Sequence, residues 1–166
     1  MAEFTAEPRG AGRRIAIVAS RFNEPVVQQL VDGCLRALLS QGAALEDVDV
    51  VWVPGAWELP AVARFLVEGE RYDAVVALGA VIRGETPHFD YVAGECARGL
   101  QQLVLEYGTP IAFGVLTTDT EEQAFARAGG PKGNKGADAA MAALEMADLF
   151  DRLDSAHAAH DGDAPS

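Results

Sequence analysis

Gly79-Ala-Val-Ile-Arg-Gly-Glu-Thr-Pro-His-Phe-Asp-Tyr91 carries an apolar strand into a helix, and that junction decides the fold. The strand, Asp73 to Val81, stops at Arg83-Gly84-Glu85. Thr86 suits the N-cap and Pro87 the first helical position, where its missing N–H has no partner to lose. A strand that runs directly into a helix is half of a βα unit, and the carboxyl end of such a strand is where open α/β sheets bind ligands. Free N–H groups and the positive end of the helix dipole make this point a seat for phosphate. His88, in the first helical turn, is placed to move protons near neutral pH. The competing reading is a surface loop with an idle histidine.

The same strand-to-helix pattern repeats on either side. A buried strand runs from Arg14 to Ser20, followed by the turn Arg21-Phe22-Asn23-Glu24-Pro25. Val26, Val27, Leu30, Val31, Cys34, Leu35 and Leu38 then keep helical spacing up to Gly42. Val48 to Val53 reads as a strand ending in Pro54-Gly55-Ala56-Trp57-Glu58, and the helix after it turns Val62, Phe65 and Leu66 inward. After the Gly79–Tyr91 junction, Val92, Cys96, Leu100, Leu103, Val104 and Tyr107 share one helical face. Ile111 to Leu116 is a fourth strand. Thr120 with Gln123 forms a capping box for a short helix that reaches Arg127. A glycine-rich loop, Gly129 to Gly136, leads to a last helix with Ala140, Leu144, Ala147 and Phe150 on one face.

Four alternations with short loops predict a three-layer α/β/α sandwich around a central four-stranded parallel sheet, flavodoxin-like, with right-handed crossovers. Residues 1–12 read as an extended arm, 13–151 as one domain, and 152–166, rich in Ala, Asp and His, as a flexible tail. The net charge of −12 argues against a nucleic-acid surface. With neither an apolar run of membrane-spanning length nor a signal pattern, the expected location is cytoplasmic. Cys34 and Cys96 lack CxxC partners and read as small buried hydrophobes; His157 and His160 read as solvated, and nothing has metal-ligand spacing.

Each strand end carries a candidate group. These are Phe22 after the first, Trp57 and Glu58 after the second, and Glu85, Thr86 and His88 after the third. The fourth strand holds Phe113 and is followed by Arg127 and Lys135. Because strand ends share one edge of the sheet, these groups can converge. Aromatics there suit stacking on a flat heterocycle, Glu58 suits ring N–H groups or hydroxyls, and Arg127 with Lys135 suits phosphate. Taken singly, Phe22, Trp57 and Phe113 also read as core aromatics, and Glu58 and Arg127 as complements to helix dipoles. The glycine-rich loop lacks the P-loop pattern, and neither a dinucleotide fingerprint nor a nucleophile elbow is present. The residues alone reach a phosphate-and-ring site without a named substrate.

Five stretches, in order, resemble the lumazine synthase family. They are Arg21-Phe22-Asn23, Pro54-Gly55-Ala56-Trp57-Glu58-Leu59-Pro60, Gly79-Ala-Val-Ile-Arg-Gly-Glu-Thr with His88, Asp119-Thr-Glu-Glu-Gln-Ala, and Gly133-Asn-Lys-Gly136. They span roughly residues 14 to 150. The resemblance implies condensation of 5-amino-6-(D-ribitylamino)uracil with L-3,4-dihydroxy-2-butanone 4-phosphate, without metal or other cofactor. It implies that Phe22, Ala56 and Trp57 border the pyrimidine, that Glu58 holds ribityl hydroxyls, and that Val81 and Ile82 read the uracil edge through their backbone. Gly84, Glu85 and Thr86 would seat the phosphate, and His88 would carry protons. Phe113, Arg127, Lys135 and Asp138 would come from a neighbouring subunit, with Arg127 on the phosphate.

The resemblance also implies a homopentamer with sites between adjacent subunits and an N-terminal strand, Glu3 to Glu7, shared with a neighbour's sheet. Some members assemble sixty subunits into a capsid, and some associate with riboflavin synthase. Pro87, and Val92-Ala93-Gly94-Glu95, depart from the usual pattern; Pro87 removes one N–H from the anion seat. The rival readings are a non-catalytic flavin- or lumazine-binding homologue and a shell-forming one. Either would tolerate loss of His88 and Arg127, and both residues are present.

Overall fold

The computed structural model describes residues 1–161. Its centre is a parallel sheet in the order β2-β1-β3-β4, built from Val48–Val53, Ile15–Ser20, Ala74–Ile82 and Ile111–Thr118 respectively. β1 pairs with β2 from Ile15 opposite Val48, and with β3 from Ile15 opposite Ala74. All six residues of β1 and the first eight of β3 are buried, as an inner strand covered on both faces requires. β2, at the edge, is only partly buried.

Helices cover both faces. α1 (Glu24–Ser40) and α5 (Lys135–Asp161) lie on one side, where Leu30, Cys34, Leu38, Ala140 and Leu144 meet Ile15, Ile17, Val76 and Leu78. α2 (Leu59–Glu68) and α3 (His88–Tyr107) cover the other, where Leu59, Ala63, Val67, Cys96, Leu100 and Leu103 meet Ala16, Val18, Val75 and Ala77. This alternation of side chains along each strand divides one apolar chain into two cores. α4 (Glu121–Ala126) follows β4, with Thr120 accepting from the Gln123 N–H at 3.1 Å. The Gln123 side chain reaches back to the Asp119 N–H at 2.9 Å, one residue before the expected partner. Among the described residues no helix is long and apolar enough to cross a membrane.

Four expectations need correction. Phe65 does not point inward and is 77% exposed. α2 buries Leu59, Ala63 and Val67, four residues apart, and Phe65 falls about half a turn away from that stripe. Thr86 does not cap α3, which begins at His88 with Pro87 at the cap position and no side-chain cap. The glycine-rich loop is a hairpin of β5 (Ala128–Gly130) and β6 (Gly133–Asn134), antiparallel across Pro131 and Lys132. The expected tail is helical from 152 to 161 as part of α5, because alanine-rich sequence has high helix propensity; residues 162–166 lie outside the described residues.

The hairpin delivers Asn134 to the start of α5. Its Oδ1 accepts from the Gly136 and Ala137 N–H groups at 2.9 and 3.1 Å, and its Nδ2 donates to the Gln29 carbonyl of α1 at 2.9 Å. The backbones of α1 and α5 approach so closely here that a Cβ at Gly33 would strike the Asn134 amide and one at Gly136 the Leu30 carbonyl.

Among the described residues the arm enters no sheet of its own chain. It lies along α5, where the buried Asp148 accepts from the Glu7 N–H at 3.0 Å and from Arg152 Nε at 2.8 Å. Arg13 pairs with Asp151 at 2.6 Å. The Glu7 N–H, followed by Arg152, holds the Asp148 carboxyl below its ordinary value.

Candidate active site

A cavity of ≈ 820 Å³ opens at the carboxyl ends of β1, β2 and β3. It lies where the strand order reverses between β1 and β3, the position at which doubly wound sheets bind ligands. Its volume falls within the range of small-molecule sites.

The first wall is the turn after β1. The N–H groups of Arg21 and Phe22 donate to the carbonyls of Val53 and Pro54 at 2.8 and 3.0 Å, extending the β1–β2 ladder past the sheet edge. Asn23 then turns left-handed, at φ 59°, a conformation its short polar side chain tolerates. Its Nδ2 donates to the Ala80 carbonyl of β3 at 2.8 Å. The turn is thereby fastened to strands on both sides, and Phe22 is left 71% exposed over the cavity. Holding so much aromatic surface in water is unfavourable by the hydrophobic effect unless something covers it.

The second wall is Pro54–Glu58, a single 3-10 turn at Ala56–Glu58 leading into α2. One Glu58 carboxylate oxygen accepts from the Gly55 N–H at 2.9 Å, fixing the side chain against its own loop. The other oxygen has no protein donor among the described residues and is available to a ligand hydroxyl or N–H. Ala56 is buried in the floor, while Trp57 is 57% exposed at the rim.

The third wall is the end of β3 with the start of α3. Ala80, Val81 and Ile82 form the floor, and Gly84, Thr86, His88, Phe89, Tyr91 and Val92 the side. Among the described residues the N–H groups of Gly84, Glu85 and Thr86 donate to no protein acceptor, as an anion seat beside a helix N-terminus requires. His88 is the first residue of α3 and is exposed.

The structure thus gathers Phe22, Ala56, Trp57, Glu58, Val81, Ile82, Gly84, Thr86 and His88 at one cavity. Glu85 belongs to the same loop without lining it. Phe113, Arg127, Lys135 and Asp138 do not line it either, so the convergence expected from shared strand ends fails for this group within one chain. Phe113 is the third residue of the edge strand β4, opposite Ala77 and well short of the strand's carboxyl end, and is 48% exposed. Arg127 caps the end of α4 and donates from Nη1 to the Gln123 carbonyl at 3.0 Å. Lys135 pairs with Asp138 at 3.1 Å in the first turn of α5. Asn23, which fastens the first wall, and Phe89 and Tyr91, which line the cavity, are additions that sequence reasoning did not name as site residues. An asparagine at the end of a strand, where a left-handed turn is needed, was the available signal for Asn23.

Among the described residues the cavity walls contain neither lysine nor arginine; their ionisable groups are Glu58, His88 and Tyr91. A phosphate bound there would have N–H groups and a helix dipole but no cation from the same chain's walls.

A family model described as 6,7-dimethyl-8-ribityllumazine synthase matches residues 12–151. A protein of Gemmatimonas aurantiaca named 6,7-dimethyl-8-ribityllumazine synthase is 63% identical over 134 residues, which cover 81% of this chain and 82% of that protein.

Proposed function

The chain belongs to the 6,7-dimethyl-8-ribityllumazine synthase family, and from that premise we propose how its residues perform the family's reaction. The enzyme condenses 5-amino-6-(D-ribitylamino)uracil with L-3,4-dihydroxy-2-butanone 4-phosphate, releasing phosphate and water, in riboflavin biosynthesis. The cavity at the β1–β3 switch point is the half-site for both reactants. The observation that carries this assignment is the pairing of two uncovered aromatics, Phe22 and Trp57, with the unshared Glu58 oxygen and an anion seat beside His88, all on one cavity.

Phe22 and Trp57 flank the pyrimidine, with Ala56 beneath it, and Glu58 accepts from ribityl hydroxyls. The backbone of Val81 and Ile82 reads the uracil edge. Gly84, Glu85 and Thr86 hold the phosphate through their N–H groups, and Pro87 costs that seat one donor. The 5-amino group attacks the ketone, and loss of water gives an imine. A proton is lost from C3, phosphate leaves from C4, and the resulting enol tautomerises. The ribityl-bearing nitrogen then closes the second ring with loss of a second water. His88 moves protons among these steps. Fixing the two reactants in register supplies much of the acceleration, an effect that reaches ~7–11 kcal/mol in favourable systems.

The missing cation comes from a neighbour. Arg127, Lys135, Asp138 and Phe113 lie away from their own chain's cavity, and in a homopentamer they complete the adjacent one, with Arg127 on the phosphate. The exposure of Phe113, Phe65 and Leu105 supports burial against other subunits. Residues 13–151 carry the catalytic domain, and Glu3 to Glu7 of the arm add a strand to the neighbour. The tightness of the Gly129–Gly136 hairpin supports the further step to a sixty-subunit capsid. Residence in the cytoplasm and association with riboflavin synthase belong to the same proposal.

Incubation of the purified chain with both substrates, without added metal or nucleotide, tests the activity through lumazine absorbance and fluorescence. A rate above the spontaneous background is expected. No acceleration, together with tight pyrimidine or riboflavin binding, would leave the binding-protein reading.

A further inference from the structure

Arg83 stands at the hinge of the anion loop without touching the cavity. Its N–H donates to the Thr118 carbonyl at 2.8 Å, continuing the β3–β4 ladder by one bond. Its Nε meets Asp119 Oδ1 at 3.0 Å and its Nη1 meets Asp90 Oδ1 at 3.5 Å. The guanidinium carbon sits 4.3 Å from the centre of the Phe89 ring. One side chain therefore ties the end of β3 to the first turn of α3 and to the loop before α4. Asp119 is itself braced, since its N–H donates to Gln123 Oε1 at 2.9 Å. Phe89, on which the guanidinium rests, lines the cavity, whereas Arg83 does not.

The loop between these anchors is otherwise loosely held. Among the described residues, the one hydrogen bond within 84–87 is from the Asp90 N–H to the Pro87 carbonyl at 3.0 Å. A Cβ at Gly84 would meet open space. The ion pairs on Arg83 are well exposed, and exposed pairs contribute little to stability. The free N–H groups of Gly84–Thr86 and the His88 ring lie in the chain between Arg83 and its partners Phe89 and Asp90.

We propose that Arg83, held by Asp119 and seated on Phe89, is a positioning residue that sets the register of the phosphate-binding loop against the catalytic histidine. The proposal rests on the assignment of that loop to the phosphate of the butanone substrate. It gives a task to the Asp119 motif that no direct substrate contact explains. A lysine cannot replace Arg83, because a single ammonium does not bridge two carboxylates while stacking flat on a ring.

The test is steady-state kinetics on the assembled enzyme, varying each substrate in turn, for Arg83→Gln, Asp119→Asn, Arg83→Lys and the Arg83→Gln/Asp119→Asn double variant. The KM for the butanone phosphate should rise about tenfold in both single glutamine and asparagine variants, since small misplacements of a binding group cost this much or more. The pyrimidine KM should stay within about twofold, and the double variant should be no worse than Arg83→Gln alone. Arg83→Lys should not restore the wild-type value. Thermal unfolding should change by no more than about 2 °C. An unchanged phosphate KM overturns the proposal, and so does an increase in Arg83→Gln that Asp119→Asn does not share, because Arg83 would then meet the phosphate itself. If Arg83→Gln fails to fold, Asp119→Asn alone decides by the same criterion. Absence of lumazine formation by the wild-type chain would instead remove the functional assignment beneath it.

Discussion

Asn134→Ala should destabilise the chain by about 2–3 kcal/mol, and the figure follows from three hydrogen bonds. Two backbone N–H groups at the start of α5, those of Gly136 and Ala137, lose their acceptor. Loss of such a cap costs about 1–2 kcal/mol. The Gln29 carbonyl on α1 also loses its donor, worth about 1 kcal/mol. For a chain of this size the melting temperature should fall by about 4–12 °C. Asn134→Asp keeps the acceptor, and its charge suits a helix N-terminus, but it sets a carboxylate oxygen against the Gln29 carbonyl. It should fall between wild type and alanine. Gly33 supplies an internal control, because a Cβ there would strike the Asn134 amide. Gly33→Ala should cost about 1–3 kcal/mol in the wild type by overpacking, and less once Asn134 is alanine. The double variant should therefore be more stable than additivity predicts by about 1 kcal/mol. Thermal unfolding followed by circular dichroism, at one protein concentration because assembly shifts the midpoint, measures all four. An Asn134→Ala protein melting within about a degree of wild type, or strict additivity with Gly33→Ala, would refute this account of the α1–α5 junction.

Three further outcomes are expected. His88→Ala should slow lumazine formation without abolishing it, and Arg127→Ala should be the slower of the two; co-assembling the two variants in equal amounts should restore about one site in four if each site draws on two subunits. Equal rates for the mixture and the separate proteins would exclude the shared site. Ser20 is fully buried, and its hydroxyl finds no partner among the described residues, so Ser20→Ala should raise stability by about 1 kcal/mol in a denaturant titration; a loss of that size would mean the hydroxyl is satisfied. Burial pushes the Cys34 thiol up to about 12 and the Cys96 thiol to about 11, from the ordinary 9.0. The native chain then keeps protons that the unfolded chain releases, so this contribution to stability is complete below pH 9 and is lost as the pH rises towards 11–12. Urea midpoints measured from pH 8 to 10.5 should decline, and replacing both cysteines with alanine should flatten that part of the decline.

The sheet was legible because buried parallel strands leave a strong signal. Val48–Val53 matched to the residue, and the other three strands to within a residue or two, since each is a short, mostly apolar, Val/Ile/Ala-rich run bounded by turn residues. What escaped was decided by contacts rather than composition. Phe65 is apolar but lies off the stripe that Leu59, Ala63 and Val67 define. The β5–β6 hairpin has five paired or nearly paired residues, mostly glycine, with no alternation to read. Residues 152–161 looked like low-complexity tail because their composition is narrow, yet alanine is the strongest helix former. For the site, the residues next to each strand end were legible because topology alone brings those ends together. Phe113, Arg127 and Lys135 were attached to the same site by the shared strand edge, and Asp138 only through family resemblance, but one chain's geometry keeps all four away from the cavity.

β1 has both edges occupied and every side chain buried, so nothing in the finished molecule shows water its surface. On the ribosome the situation is reversed. β1 is made first, and β3, which closes its second edge, begins about 60 residues later. At about 5–20 residues per second, the strand waits about 3–12 s with its β3 edge unpaired. During that interval the most protected segment of the mature chain is its most adhesive one. Codon choice between residues 20 and 82, and early capture by a chaperone, should therefore govern the yield of soluble protein more strongly than any change made after β3 has been synthesised.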